Sequence, residues 1–100
     1  MDIEQMTWII ADAGECKSLA MEAIGCAREG DFNGAMELMK EGGQALSRAH
    51  SRQTDLIRAE MTGESRLQVT LLMAHAQDHL MSAVTTRDLA FEIIELYKRL

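Results

Sequence analysis

From Arg66 to Leu100 the chain holds neither glycine nor proline, and proline is absent from all 100 residues. A segment of this length built from Leu, Ala, Met, Glu and Ile meets no local helix breaker. At about 1.5 Å per residue it predicts one helix about 50 Å long. A rod of that length is longer than a small domain is wide, so the remaining chain has to run alongside it.

The remaining chain reads as two further helices. From Asp2 to Glu29, the residues Ile3, Met6, Ile9, Ile10, Ala13, Cys16, Ala20, Ala23, Ile24 and Ala27 recur at three- and four-residue spacing, which is a helical stripe. In REGDF, Gly30 suits the position just past a helix end, and Asp31 suits the N-cap of the next helix. From Phe32 to Glu60 the stripe is Phe32, Ala35, Leu38, Met39, Ala45, Leu46, Ala49, Leu56 and Ile57. Within it Gly42-Gly43 costs about 1 kcal/mol per glycine against alanine, so the pair marks a kink or a close helix approach. MTGES, around Gly63, is the second turn. Hydrophobic residues make up 47% and aromatics 4%, which excludes a disordered chain and favours an all-α fold. Three helices with short connections give an up-down-up antiparallel bundle, a single domain over residues 1–100.

On a helical wheel the third segment divides into three sectors. Val69, Leu72, Met73, Ala76, Leu80, Ala83, Val84, Ala90, Phe91 and Ile94 form the stripe for the bundle core. Thr70, Ala74, Gln77, Met81, Thr85, Asp88, Glu92, Glu95 and Arg99 form a solvent side. The third sector holds Leu71, His75, Asp78, His79, Ser82, Thr86, Leu89, Ile93, Leu96, Tyr97 and Leu100. A three-helix monomer supplies only one set of neighbours to a helix with two apolar seams. The second seam therefore predicts association with other copies of the chain.

The polar end of that seam carries the chemistry. In AHAQDHLM, residues 74–81, His75, Asp78 and His79, followed by Ser82, lie at i, i+3, i+4 and i+7, on one helix face. Gln77 points away. A neutral imidazole is a nucleophile available near pH 7 and can accept a phosphoryl group; a second imidazole and a hydroxyl one turn on can donate to phosphoryl oxygens. The same spacing suits metal ligation, or a hydrogen-bonded structural cluster. The residues alone leave these three open.

The formal net charge of −6, with no cluster of Lys or Arg, excludes nucleic acid and anionic membrane as natural partners and favours a protein with a basic face. Cys16 and Cys26 stand ten positions apart on one helical segment, too far for a disulfide within a straight helix, and read as reduced thiols in the cytoplasm. No segment has the apolar length of a membrane span, and MDIEQMTWII lacks the basic start of a signal peptide. The eight methionines read as core filler, with Met81 near His75 as an adaptable docking residue. Glu92 and Glu95 read as a solvated face.

AHAQDHLM, preceded by Val-Thr-Leu-Leu-Met, resembles the signature of the lactose/cellobiose (chitobiose) family of enzyme IIA components of the bacterial sugar phosphotransferase system. GECKSLAMEAI, AREGDFNGAMELM, LSRAHSRQTDLI and the Thr-Gly-Glu turn resemble the family's other blocks, in the same order and over essentially the whole chain. The resemblance implies a cytoplasmic three-helix subunit assembling as a homotrimer through the third helix. It implies that His75 takes a phosphoryl group from the phosphocarrier protein HPr and passes it to a cysteine of enzyme IIB, during uptake of a disaccharide of the lactose, cellobiose or chitobiose type. Asp78 matches the aspartate that, once per subunit, holds a divalent metal at the trimer axis; an all-oxygen site suits Mg2+. His79 matches a supporting residue near the phosphoryl group, and Ser82, His50 and Met81 are further binding candidates. The alternative is a non-enzymatic trimeric helical module with a structural metal site.

Overall fold

One residue, Asp31, closes the first helix and opens the second. In the computed structural model, which describes residues 2–64 and 69–100, helix α1 spans Asp2–Arg28, α2 Phe32–Met61 and α3 Leu71–Lys98. The Asp31 N–H donates to the Cys26 carbonyl at 2.9 Å, and the Gly30 N–H donates to the Ala27 carbonyl at 3.0 Å. This is the Schellman arrangement, and it requires a left-handed residue just past the helix; Gly30 supplies it with φ +83°. The Asp31 carboxylate then accepts from the Gly34 N–H at 2.9 Å, capping α2. The N-cap of α3 is Thr70, whose hydroxyl accepts from the Met73 N–H at 3.1 Å.

Side-chain contacts fix the topology. Gln5 meets Arg52 and Asp12 meets Arg48, so α1 and α2 run antiparallel. Gln53 meets Gln77, and Arg87 meets Met39, so α2 and α3 also run antiparallel. Met6 and Ile9 share a core layer with Ala49, Ala76 and Leu80, while Ala23 and Ile24 share one with Ala35, Met39, Ala90 and Ile94. Helices α1 and α3 are therefore parallel, and the bundle is up-down-up, an elongated body of 52 × 20 × 18 Å.

The core is built from small residues. Ten of its seventeen buried apolar residues are alanine. Alanine lets helix axes approach closely, but each buries little apolar surface, and apolar area removed from water contributes only about 25 cal/mol per Å2. The monomer's core is thus tight and thin.

Gly42-Gly43 belongs to a close helix approach, with no break in α2. Gly42 is buried, and a Cβ there would lie 3.5 Å from the Cys16 carbonyl oxygen and 3.6 Å from Leu19 Cβ. Gly43 leaves room for the Arg87 guanidinium, 2.7 Å from where its Cβ would stand. Arg87 reaches over it to donate to the Met39 carbonyl through Nη2 at 3.1 Å and Nε at 3.4 Å.

Several sequence expectations change, and Ile3 of the first stripe is 67% exposed. Arg66 to Gln68, assigned by the sequence to the start of the third helix, lie outside the described residues, and α3 begins at Leu71. Val69 precedes that helix and is 86% exposed, and Ile57 is 47% exposed, so neither belongs to the core. Gln77, assigned to the solvent side, is half-buried through its hydrogen bond to Gln53.

Candidate functional site

Helix α3 divides its faces at the AHAQDHLM stretch as the wheel predicts, Gln77 excepted. Ala76 and Leu80 are fully buried and anchor this part of the helix to α1 and α2. The angular spacing of an α-helix then turns His75, Asp78, His79 and Ser82 outward together. Four residues fixed by a packed helix keep their mutual geometry better than four placed on a loop.

These side chains line an open cleft of about 200 Å3, whose wall is completed by Lys17 of α1. The His75 and His79 rings stand 4.5 Å apart, edge to face at 85°. Lys17 Nζ lies 3.2 Å from His79 Nδ1. The His79 imidazole is held below its ordinary pKa, first by partial burial, then by the charge of Lys17 and by His75, with Asp78 opposing. That favours the neutral ring. His75 is exposed, as an acceptor reached by other proteins has to be. On its other side it borders an apolar hollow with Leu71 and Leu72, about 430 Å3. The acceptor candidate thus sits between a polar wall and an apolar one.

His50 and Met81 stand apart from this cleft. His50 is exposed on α2, and Met81 is 55% exposed on α3, but neither is among the lining residues. Sequence reasoning missed Lys17. Its partner is 62 positions away, and only the parallel pairing of α1 with α3 brings them together. GECKSLAMEAI held a signal, because Lys17 directly follows the core residue Cys16, and that register places it at the rim of the α1–α3 seam.

Among the described residues no three His, Cys, Asp or Glu side chains converge as a metal site. Asp78 is exposed and makes no ion pair among the described residues. Asp78 is the one carboxylate among the described residues lining the cleft, so a metal fits there only if several copies contribute.

Below the exposed histidine runs the apolar part of the second seam. Leu89 is 57%, Ile93 38%, Leu96 61% and Leu100 92% exposed. Tyr97 is the exception, folding back against the core beside Ile94.

The arrangement has relatives. The family described as "PTS system, Lactose/Cellobiose specific IIA subunit" matches residues 4–98. The chain is 47% identical over 100 residues to the lichenan-specific phosphotransferase enzyme IIA component of Bacillus subtilis (strain 168), covering 99% of this chain and 90% of that one. Its structure superposes with a TM-score of 0.92 on the cellobiose-specific enzyme IIA of Bacillus anthracis, 41% identical, covering 96% and 87% of the two chains. It superposes at 0.83 on the chitobiose IIA of Escherichia coli, solved in complex with HPr, 38% identical, covering 96% and 92%. With nearly the full chain matched in sequence and in fold, this three-helix protein belongs to the lactose/cellobiose family of IIA subunits of the sugar phosphotransferase system.

Proposed function

We propose that His75 is the phosphoryl acceptor of this IIA component, loaded by phospho-HPr and discharged onto a cysteine of the cognate enzyme IIB. The observation that carries the reading is the placement of an exposed histidine beside a second imidazole, a hydroxyl and an ammonium in one cleft. Phosphoryl transfer asks for positioned donors and charge compensation more than for covalent machinery. The unprotonated nitrogen of His75 attacks phosphorus, a P–N bond forms, and the bond from phosphorus to the donor's leaving atom breaks. In the second transfer the P–N bond breaks as a P–S bond forms on IIB. The E. coli relative solved with HPr supports the choice of donor. A net charge of −6 suits a donor with a basic face, and such complementarity mainly accelerates encounter.

The working unit in this reading is a cytoplasmic homotrimer. The support is the second seam, whose large apolar side chains Leu89, Ile93, Leu96 and Leu100 are incompletely covered within one chain. Assembly through that seam brings Asp78 of each copy toward a common axis. Three carboxylates there repel one another unless a cation offsets them, and Mg2+ suits such an oxygen-only site. When bound, the ion supplies charge compensation at the axis. The sugar is of the disaccharide class suggested by the cellobiose and chitobiose relatives.

Incubation with phosphorylated HPr tests the chemistry. The expected result is a mass gain of one phosphoryl group, acid-labile and base-stable, that disappears in His75→Ala. Full phosphorylation of His75→Ala refutes the site assignment. Sedimentation tests the assembly: a monomer at micromolar concentration with Mg2+ present refutes the trimer. Asp78→Leu is expected to abolish metal binding while keeping the trimer, because it replaces buried like charges by apolar contact.

A further inference from the structure

Among the described residues lining the cleft, Lys17 is the one that lies outside α3. It is half-buried and makes no ion pair among the described residues, in a chain where 16 acidic residues outnumber 10 basic ones. Its ammonium is instead directed at an imidazole, 3.2 Å from His79 Nδ1.

That contact has only one polarity. A lysine ammonium carries three donors and no acceptor, so Lys17 Nζ donates and His79 Nδ1 accepts. A neutral imidazole that accepts at one nitrogen carries its proton on the other. His79 therefore offers Nε2–H as a donor. Its ring stands 4.5 Å from the ring of His75, and both line the cleft in which a phosphoryl group on His75 would sit. Lys17 is also the only lysine or arginine among the described residues lining that cleft. If the contact were an accident of helix packing, loss of the ammonium would leave the transfer rate unchanged.

We infer that Lys17 is a positioning residue for phosphoryl acceptance, holding His79 as the Nε2–H tautomer and bringing a positive charge to the phosphoryl oxygens. The inference rests on His75 as the acceptor. Phosphorus moves from the donor's leaving atom to the unprotonated nitrogen of His75. Neither Lys17 nor His79 gains or loses a proton in that step; their N–H groups compensate charge on the oxygens as it redistributes.

The test uses the full-length protein with phospho-HPr in rapid-quench assays of the wild type, Lys17→Met and Lys17→Arg. It adds long-range 15N–1H spectra of the imidazoles at a pH where they are neutral. Lys17→Met keeps the aliphatic stem and removes the donor, and it is expected to slow acceptance about 10- to 100-fold with the KM for HPr little changed, the signature of an interaction made mainly in the transition state. Lys17→Arg restores the rate to within a few-fold. In the wild type His79 Nδ1 is bare and Nε2 protonated. Lys17→Met phosphorylated at the wild-type rate overturns the inference, as does a wild-type His79 protonated at Nδ1; neither touches the assignment of His75. A wild type that accepts no phosphoryl group at all refutes the relay reading itself. The tautomer is read in the wild type, so a Lys17→Met protein that fails to fold still leaves a decisive measurement.

Discussion

Gly42 and Gly43 are neighbours in one helix with the same intrinsic penalty, and the structure gives them opposite responses to alanine. In either case a methyl group removes a helix-interior glycine, which contributes about 1 kcal/mol in favour of folding. At position 42 the new Cβ meets the Cys16 carbonyl oxygen at 3.5 Å and Leu19 Cβ at 3.6 Å, which is ordinary van der Waals contact. Gly42→Ala should therefore stabilise by about 1 kcal/mol. At position 43 the new Cβ would stand 2.7 Å from Arg87 Nη2 and 3.1 Å from Cζ, so the guanidinium has to withdraw. It then loses its hydrogen bonds to the Met39 carbonyl, and hydrogen bonds from a charged donor contribute about 1.5–3 kcal/mol. Net of the propensity gain, Gly43→Ala should destabilise by roughly 0.5–2 kcal/mol. Urea unfolding at one fixed protein concentration measures both, since coupled dissociation shifts apparent stability with concentration. Arg87→Met supplies the control. In that background the obstruction is gone, so Gly43→Ala should become stabilising, a sign reversal in the double-mutant cycle. Equal effects of Gly42→Ala and Gly43→Ala, or no reversal with Arg87→Met, would refute the account of why two adjacent glycines stand in α2.

Three further outcomes follow from single groups. Arg48 Nε donates to Asp12 Oδ1 at 3.2 Å, and the Asp12 side chain is 8% exposed while that of Arg48 is 51% exposed. Arg48→Met strands a buried carboxylate, with Arg52 only 4.0 Å from its other oxygen, and should cost about 1–3 kcal/mol; Asp12→Leu leaves an arginine that can turn to water and should cost less, and the opposite order in thermal melts rejects this. Alkylation should reach Cys26 well before Cys16, because Cys16 is buried and burial raises its thiol pKa, only partly offset by Arg87; peptide mapping after brief iodoacetamide treatment decides it. Ile93→Lys places a charge on the uncovered seam, so it should leave helical circular dichroism intact while lowering the sedimentation mass; an unchanged mass counts against the proposed interface.

The long-range chemistry of the site was only half legible in the sequence. The shared face of His75, Asp78, His79 and Ser82 on α3 was readable, because helical spacing alone fixes it, whereas Gln77 and Met81 of the same helix do not stand where the sequence put them. Helix ends were readable where one residue type has a conformational reason to be there, as with Gly30 and Asp31. Positions judged by stripe alone failed in two ways: Val69 precedes α3, and Ile57 faces outward on α2 although Leu56 beside it packs against the core. The partners of Lys17 and Arg87 were not legible for another reason. Each makes its decisive contact with a group on another helix, at a distance set by how close the two axes come. That closeness follows from core volume, and no local pattern encodes it.

Core volume also links the site to the proposed assembly. Part of the core beneath the cleft is the small-residue cluster Ala13, Cys16, Ala45 and Ala83, all fully buried. Such small side chains draw the helices together, and this proximity is what lets an ammonium on α1 reach an imidazole on α3. The same choice leaves little apolar volume inside one chain. The larger residues of the lower half of α3, Leu89, Ile93 and Leu96, lie partly outside instead, where a monomer gains little from their exposed surface. A bundle with a bulkier interior would bury more per chain, but it would hold its first and third helices further apart. The thin core that brings Lys17 to His79 and the uncovered seam that calls for other copies are thus two results of one distribution of side-chain size.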